Sequence, residues 1–457
     1  MELGCLALIL AAAAAVYARS LHSALSYDEG NYLASLDALR HGEHLGSDVF
    51  LDQPPGWYLL LQGLAVPLGQ GFVHVRIGML AIAVLGLVIA WATARALGGP
   101  AAGLAAAAVL AIAPPYPTLA ATVESDPPST VLALAAVACA LYARQRPWLW
   151  AASGATLALA MSVKLFAVVA GLPILALVVC RRRLRPFVLA AAGFVAVVLA
   201  FVVAYRHVLN QVWQGVFGAH LNARGGHQAG AQSNLSRVLH VPDLHTPFGW
   251  LALAGIALSL FWLVRRRPLG LWPLWLFTLG ATLFTLTMKP LLDHHLVLLA
   301  TALAVPAGAA VALTLLRLPR ALALVGTALL VLGISAGLYQ EHRRLARNAM
   351  PETRNVRCAV DLVRSRTTPD QLVVSDIPSI PYLAGRHQPG QLIDTSIARI
   401  VDEYLTPAGV LKELDRIAPR VVVVGRNFRS KPEIVRGIAQ RFPKTAYCGA
   451  GIQLYWR

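Results

Sequence analysis

Charged residues are scarce in this chain. Only 13% of the 457 residues are Asp, Glu, Lys or Arg, whereas 57% are hydrophobic and the mean hydropathy is +0.61. Soluble domains contain about 25% charged residues, so this composition argues against a large soluble enzyme. The sequence therefore predicts a polytopic membrane protein.

A concentrated basic surface is also lacking, although the formal net charge is +17. Most Lys and Arg residues lie in short runs between apolar segments, such as 181–185 and 265–267. Runs of this kind are typical of topology signals and of contacts with lipid head groups. We therefore expect membrane lipids, and no nucleic acid, among the partners.

Several cofactor and metal motifs are missing. The five cysteines include no CxxC pair and no Cys/His spacing typical of a structural zinc site. Gly425 is followed by Arg426-Asn427-Phe428, so the chain has no GxGxxG fingerprint there and we expect no dinucleotide. Cys358 and Cys448 lie in the polar C-terminal part and can form a disulfide if that part faces an oxidising compartment.

Long apolar runs predict about eleven membrane spans. A span needs about 20 mostly apolar residues. The first run has no positive charge before it, so we expect a retained span and not a cleaved signal peptide. The predicted spans are 2–18, 73–96, 101–116, 127–143, 148–163, 165–180, 186–206, 248–264, 269–287, 294–316 and 320–339. Residues 59–68 are too short to span and predict an interfacial or re-entrant helix.

The loop charges orient these spans. With a cytoplasmic N-terminus, every second loop is basic, as the positive-inside rule requires. The opposite side then receives 19–72, 114–126, 207–247, 288–293 and everything after 340. These segments carry the carboxylates and most histidines, which predicts a site on the periplasmic or extracellular face of the inner (plasma) membrane.

Two domains are expected. Residues 1–340 form the membrane module, with a first outer loop at 19–72 and a second large outer loop at 207–247. Residues 341–457 alternate predicted strands (371–375, 420–425) with helices (353–366, 407–417, 431–441) and end in a hairpin-like pair (444–448, 452–456). The fold class is thus a mainly α transmembrane bundle with a small C-terminal α/β extracytoplasmic domain.

The acidic candidates lie in the outer loops. Asp28 and Glu29 follow the first span; near a partly dry surface such a pair can keep one carboxylate ionised as a general base, but helix capping is the simpler explanation. Asp52, before Gln53-Pro54-Pro55, is a candidate metal or substrate ligand or simply part of a turn. Glu124 and Asp126 are candidates for binding sugar hydroxyls or the acceptor, or for an N-cap.

Basic and histidine residues supply the other candidates. Lys164 and Arg76 stand at span ends, where they can bind a lipid phosphate or simply extend to the membrane surface. Histidines at high density can coordinate a divalent metal, although such residues are also common in wet loops. The candidates in the later outer loops are His220, Arg224, Lys289, His294 and His295.

Taken in order, these segments resemble the GT-C superfamily of membrane glycosyltransferases. The resemblance is to the branch with protein O-mannosyltransferases and lipid A aminoarabinose transferases, and it covers about the first 340 residues. It rests on the outer-loop order of Tyr27-Asp28-Glu29-Gly30-Asn31-Tyr32-Leu33-Ala34, Gln53-Pro54-Pro55-Gly56-Trp57-Tyr58, Arg76, Met161-Ser162-Val163-Lys164, and His220 followed by Arg224.

The resemblance implies a function. Such enzymes transfer a sugar from a polyprenyl-phosphate donor, on the outer face, to a protein, lipid or glycan acceptor. Asp28 matches the family's catalytic acidic residue, and Asp52 and His220 are similar in place to residues that can bind a divalent metal. Gln53 stands where related sequences often have Lys, and the spacing from His220 to Arg224 is one residue longer than expected.

Two other functions remain open from the sequence. A transporter or lipid flippase also needs many spans, but the chain shows no internal repeat, and its polar residues gather on one face instead of the membrane midplane. A non-catalytic partner in envelope glycan assembly is the third hypothesis. A transfer assay with a labelled polyprenyl-phosphate sugar distinguishes the three.

Overall fold

The computed structural model describes residues 1–69, 71–218, 234–396, 399–400, 404–449 and 451–457. The chain divides into two compact units. The first unit comprises residues 1–21, 68–204 and 230–349, and the second comprises residues 22–67, 205–229 and 350–457. The second unit therefore combines the predicted C-terminal region with segments of both large predicted loops.

Apolar helices build the first unit. They are α1 (Glu2–Tyr17), α4 (Phe72–Ala111), α5 (Pro115–Leu119), α6 (Asp126–Tyr142), α7 (Leu149–Val163), α8 (Gly171–Cys180), α9 (Leu184–Ala204), α11 (Asn234–His240), α12 (Pro247–Val264), α13 (Trp272–Thr287), α14 (Leu296–Leu315) and α15 (Arg320–Asn348). Helical segments thus occupy every predicted span. The predicted spans 73–96 and 101–116 correspond to the two helical halves of α4, which are separated by a kink with non-helical backbone angles at Gly99.

Gly99 explains this kink. Its backbone has φ of 75° and ψ of −170°, a positive-φ conformation that glycine adopts without a Cβ clash. Pro100 follows and cannot donate the hydrogen bond that would continue a regular helix. The helix axis therefore changes direction here, although the two halves remain joined without a loop.

Small side chains allow the central helix of this unit to pack closely. Helix α14 is buried along most of its length and contacts α4, α12 and α13. A Cβ at Gly308 would lie 2.6 Å from the carbonyl oxygen of Ala105, so the two backbones approach as only glycine permits. By contrast, α9 is apolar and mostly exposed apart from Pro186 and the side that packs on α7, as expected of a helix that faces lipid.

The chain is a multi-pass membrane protein. Six helices among the described residues are long and apolar enough to cross a membrane: Glu2–Ser20, Phe72–Ala111, Leu184–Ala204, Pro247–Val264, Asp293–Leu315 and Arg320–Asn348. Shorter apolar helices lie at Asp126–Tyr142, Leu149–Val163, Leu165–Cys180 and Trp272–Thr287. The total of eleven spans stays a prediction.

The second unit contains the sheet. Its helices are α2 (Tyr27–Arg40), α3 (Pro55–Leu68), α10 (Leu209–Trp213), α16 (Arg354–Arg366), α17 (Ser379–Ala384), α18 (Pro407–Ile417), α19 (Arg426–Arg429) and α20 (Pro432–Arg441). Its strands are β1 (Val373–Ser375), β2 (Val421–Val424), β3 (Lys444–Tyr447) and β4 (Gln453–Trp456), in the order β1-β2-β4-β3. Only β1 and β2 are parallel. The strands and helices predicted after residue 341 are present, whereas the domain boundary near 340 stays a prediction.

A disulfide in this unit joins Cys358 to Cys448, which are 90 residues apart in the sequence. A long closed loop restricts the unfolded chain, so we expect the double variant Cys358→Ala/Cys448→Ala to lose about 2–4 kcal/mol of unfolding free energy. Alkylation of denatured wild-type protein should label three thiols without reductant and five after reduction. Labelling of five thiols without reductant would contradict the bridge.

Candidate active site

Helix α2 begins with a capping box at the candidate catalytic pair. The Ser26 hydroxyl accepts a hydrogen bond from the backbone N–H of Glu29 at 3.1 Å, and the Glu29 carboxylate accepts one from the N–H of Ser26 at 3.2 Å. This exchange satisfies two N–H groups that a helix start leaves without partners. It gives buried Glu29 a structural role, while Asp28 beside it remains partly exposed. The catalytic assignment of both residues stays a prediction.

Asp52 is held by two side chains. Asn31 donates to Asp52 Oδ2 at 3.1 Å, and the Tyr58 hydroxyl donates to Oδ1. Part of the residue remains solvent-accessible, yet burial of its carboxyl group among protein atoms raises the pKa of Asp52 to about 7. The charges of Asp394 and Asp28 raise this pKa further, whereas the hydrogen bond from Tyr58 lowers it. Asp394 and Asp28 therefore both act electrostatically on Asp52.

The C-terminal part of the chain completes this group, which we call the acidic cluster: Asp28, Asp52, Asp394, Tyr27 and Arg399. The Tyr27 hydroxyl donates to Asp394 Oδ1 at 3.5 Å. The Arg399 guanidinium lies 3.7 Å from the centre of the Phe50 ring, and its Nη1 donates to the carbonyl oxygen of Asp394. Burial lowers the pKa of Arg399, and the neighbouring Asp394 opposes that effect.

One donor of the acidic cluster has no partner. Arg399 is only 7% exposed, and its Nε forms no hydrogen bond with any residue that the structure describes. A buried donor without a partner costs about 1–3 kcal/mol.

Gly30 permits the close packing behind the acidic cluster. A Cβ at this position would lie 2.7 Å from the backbone nitrogen of Ser379 in α17. Real side chains cannot approach a backbone so closely, so α2 and α17 pack together only with glycine here. This contact explains Gly30 in the stretch Tyr27–Asn31, and it brings the C-terminal segment to the candidate base.

The raised pKa of Asp52 predicts a pH effect on stability. The folded protein keeps this proton up to about pH 7, whereas an unfolded Asp loses it near pH 4. The unfolding free energy should therefore fall as pH rises through this interval. Asn at position 52 does not titrate, so the unfolding free energy of Asp52→Asn should fall less steeply with pH than that of wild type. Denaturation curves measured from pH 4.5 to 8 test this.

Asp376 supplies an internal reference for that experiment. Its pKa is raised to about 6, also by burial, and it titrates in both proteins. The difference between the two pH profiles therefore isolates Asp52. Equal slopes in wild type and Asp52→Asn would show that the Asp52 carboxyl group has an ordinary pKa.

The first unit holds a second group, which we call the Lys164 cluster: Asp126, Lys164, His294 and His295. Asp126 opens α6 and is 0% exposed, and Lys164 follows the last residue of α7 and is 8% exposed. The Lys164 Nζ lies 2.5 Å from Asp126 Oδ2. The Ser129 hydroxyl donates to the carbonyl oxygens of Ala160 and Lys164, which fixes the end of α7 against the start of α6.

The Lys164 cluster combines two histidines with buried polar atoms. The rings of His294 and His295 are 4.3 Å apart, and one ligand atom from each of Asp126, His294 and His295 lies within 4.8 Å of the others. Among the described residues, Asp126 Oδ1, Ser125 Oγ and Thr130 Oγ1 are buried without a hydrogen-bond partner. Buried polar atoms without partners are costly, which indicates that a ligand or water completes this cluster.

A metal ion is the weaker candidate for that ligand. Asp126 and the two histidines offer a suitable set of oxygen and nitrogen donors. The Lys164 ammonium group already neutralises Asp126, however, and a dication beside it would be repelled. The charges therefore favour a ligand other than a metal ion in the Lys164 cluster.

Arg76, Glu124 and Lys289 are the other predicted site residues that the structure describes. Arg76 is fully buried, and its Nη1 donates to the carbonyl oxygens of Ser20 and Leu21 at 3.3 and 3.0 Å. Glu124 is buried, whereas Lys289 is exposed. His220 and Arg224 lie outside the described residues, so the metal pair of Asp52 and His220 stays a prediction.

Sequence reasoning missed four members or neighbours of the acidic cluster. Tyr27 and Tyr58 stand inside the segments that carry the family resemblance, so their hydroxyl groups were visible candidates. Asp394 and Arg399 lie more than 300 residues further along the chain in a segment without a recognisable motif. No sequence signal places them beside Asp52.

Part of the chain matches a known protein family. Residues 52–208 match the family described as dolichyl-phosphate-mannose-protein mannosyltransferase. No curated protein matches the sequence significantly.

The structure resembles ArnT from Cupriavidus metallidurans. The TM-score is 0.68 for its apo form and 0.69 for its form bound to undecaprenyl phosphate, each at 15% identity. The alignments cover 99% of this chain and 97% and 98% of those chains.

The apo oligosaccharyltransferase of Archaeoglobus fulgidus is also similar. Its TM-score is 0.59 at 12% identity, over 93% of this chain and 69% of that one. Identities this low establish the fold alone. The shared fold confirms the predicted class, a mainly α polytopic bundle with a small α/β region. The family match and the fold together confirm the resemblance to the GT-C superfamily of membrane glycosyltransferases, in the branch of protein O-mannosyltransferases and lipid A aminoarabinose transferases.

Proposed function

We propose that this protein is an inverting glycosyltransferase that moves a sugar from a polyprenyl-phosphate donor to an acceptor hydroxyl group. The observation that carries the proposal is the acidic cluster, in which burial and two neighbouring carboxylates raise the pKa of Asp52 to about 7. A carboxyl group with a perturbed pKa beside a buried cation is a candidate for a catalytic site. The fold shared with ArnT, which has been solved with undecaprenyl phosphate, supports a lipid-linked donor.

Asp28 is the proposed general base. It is partly exposed, so an acceptor can reach it, and its neighbour Glu29 is occupied by the capping box. Asp28 takes the proton from the acceptor hydroxyl group as that oxygen attacks the anomeric carbon. The bond between this carbon and the phosphate oxygen breaks on the opposite side, so the configuration inverts and the lipid phosphate leaves with the bonding electrons.

Cations stabilise the phosphate as its charge increases. A preorganised cation in a water-poor site lowers the barrier because it needs no reorganisation during the reaction. Lys164 is the proposed phosphate ligand, since Asp126 positions its ammonium group and leaves Oδ1 for a hydroxyl group. Arg76 is a weaker candidate because two backbone carbonyls occupy its guanidinium group.

The other roles rest on the resemblance and on the local charges. The other proposed substrate contacts are Glu124, Lys289, Arg224, His294 and His295. Asp52 and His220 remain the proposed ligands of a divalent metal, which would neutralise charge on the donor. The proposed location is the inner (plasma) membrane, with the reaction and the C-terminal α/β region on the periplasmic or extracellular side.

A transfer assay in proteoliposomes tests this function. Purified protein is supplied with a polyprenyl-phosphate sugar labelled in the sugar and with a membrane extract as the acceptor source. The proposal predicts that label moves to an acceptor while free polyprenyl phosphate accumulates. Label that crosses the bilayer but stays on the lipid would instead identify a flippase. Label that neither moves nor crosses would leave only a non-catalytic role.

A further inference from the structure

Two histidines and two carboxylates meet in the second unit, away from the acidic cluster residues discussed above. Asp37 lies in the last turn of α2 and His41 is the residue directly after this helix; the two are four residues apart, and their side chains contact each other. His387 approaches them from the segment after α17, and its ring stacks on that of His41 with 4.4 Å between centres. One ligand atom from each of these three residues lies within 4.8 Å of the others.

The distances between these side chains match those between neighbouring ligand atoms in a metal site. Asp37 Oδ2 lies 3.5 Å from His41 Nδ1 and 3.4 Å from His387 Nδ1. In a tetrahedral zinc site, bond lengths of about 2.0–2.1 Å place neighbouring ligand atoms about 3.3–3.5 Å apart. Two of the three distances therefore have the length expected between ligands of one ion. His41 Nδ1 also lies 2.9 Å from the backbone carbonyl oxygen of Asp37, and binding of an ion would replace that hydrogen bond.

Glu43 orients the His387 ring for this purpose. Its Oε1 lies 2.8 Å from His387 Nε2, and its Oε2 accepts a hydrogen bond from the backbone N–H of Gly390 at 2.8 Å. When Nε2 carries the proton for Glu43, the lone pair of Nδ1 faces the carboxylate of Asp37. Two acceptors then face each other, and a cation between them removes the repulsion. Metal-bound histidines commonly have such a carboxylate on their second nitrogen.

We propose that Asp37, His41 and His387 form a binding site for a zinc-type divalent cation, with Glu43 positioning His387. Two imidazoles and one carboxylate favour zinc or a similar transition metal over magnesium or calcium, which prefer oxygen ligands. His41 is exposed, so an ion can enter from solvent, and a water molecule can take the fourth position. The ion would fasten the end of α2 to the segment 387–390.

An ion pair is the competing explanation. A doubly protonated His387 can donate to both Asp37 and Glu43, and His41 then contributes only its contact with Asp37. The two explanations differ in their response to added metal. They also differ in the importance of His41, which a metal site needs as a ligand and an ion pair does not.

Zinc binding to the full-length protein separates the two explanations. Protein purified without an affinity tag and treated with chelator is equilibrated with micromolar ZnCl₂, and bound zinc is counted per chain by elemental analysis. We expect His41→Ala to bind one zinc fewer than wild type, and Glu43→Gln to bind it about 10–100-fold more weakly. His44→Ala is the matched control, because His44 is exposed on the same loop but outside the cluster.

Other zinc sites do not affect the conclusion, because it rests on the difference in bound zinc per chain between wild type and each variant. Zinc should also raise the unfolding midpoint of wild type and His44→Ala, but not that of His41→Ala. Equal zinc content in wild type and His41→Ala would overturn the proposal, as would a wild-type protein that binds no zinc. Loss of the same zinc in His44→Ala would also overturn it. None of these measurements depends on glycosyl transfer, so failure here leaves the proposed function untouched.

Discussion

Asp28→Asn is expected to reduce glycosyl transfer by about 10²–10⁴-fold while the protein still inserts and folds. Loss of a well-placed general base has this magnitude because the acceptor oxygen must then attack without losing its proton to the enzyme. The amide is the same size as the carboxylate and also accepts hydrogen bonds, so folding should change little. The measurement is the initial rate of transfer by purified variants, with equal amounts of folded protein established by gel filtration.

Two variants make this test specific. Glu29→Gln keeps the capping box, because Gln at that position accepts the same hydrogen bond from Ser26. It should retain most transfer, and an inactive Glu29→Gln beside an active Asp28→Asn would move the base to Glu29. Asp361→Asn is the matched control for charge, since this Asp lies in the same unit and is 75% exposed. Near-normal turnover by Asp28→Asn would remove Asp28 from the mechanism.

Asp126→Ala is expected to lower the unfolding free energy by about 3–5 kcal/mol. The substitution leaves the Lys164 ammonium group buried without its partner, and an uncompensated buried charge has this cost. The double variant Asp126→Ala/Lys164→Met should recover much of the stability, because an apolar replacement of both partners leaves no buried charge. Thermal unfolding in detergent, followed by tryptophan fluorescence, measures both effects.

The same pair separates structure from function. If Lys164 binds the donor phosphate, the double variant should be stable but deficient in transfer. Asp293→Ala is the matched control: this Asp pairs with Arg237 in the same unit but is 90% exposed, so its removal should cost less than about 1 kcal/mol. Full transfer by the stable double variant would restrict Asp126 and Lys164 to a structural role.

Local patterns predicted much of the fold. Apolar runs located the helices because a membrane requires about 20 apolar residues in sequence, and this signal is carried by neighbouring residues. The predicted strands near 373 and 421 appear because Val-rich runs favour buried parallel strands. The kink at Gly99-Pro100 lies between the two predicted spans 73–96 and 101–116, since neither residue continues a regular helix.

The candidate sites were predicted only in part. The sequence identified each member of the Lys164 cluster as an isolated polar residue. It could not show that these residues lie close together, because their proximity depends on helix packing that no local pattern encodes. The capping role of Glu29 was visible in Ser26-Tyr27-Asp28-Glu29, a capping-box spacing. Asp394 and Arg399 were not found, because they reach Asp52 through tertiary packing between segments more than 300 residues apart.

Mass spectrometry of envelope glycans and glycoproteins tests the central claim most directly. Cells that lack this protein are compared with cells that express wild type or Asp28→Asn at equal levels. The account predicts that one sugar modification is present with wild type and absent in both other strains. A modification that persists in cells with Asp28→Asn, or glycans that are identical in all three strains, would contradict it.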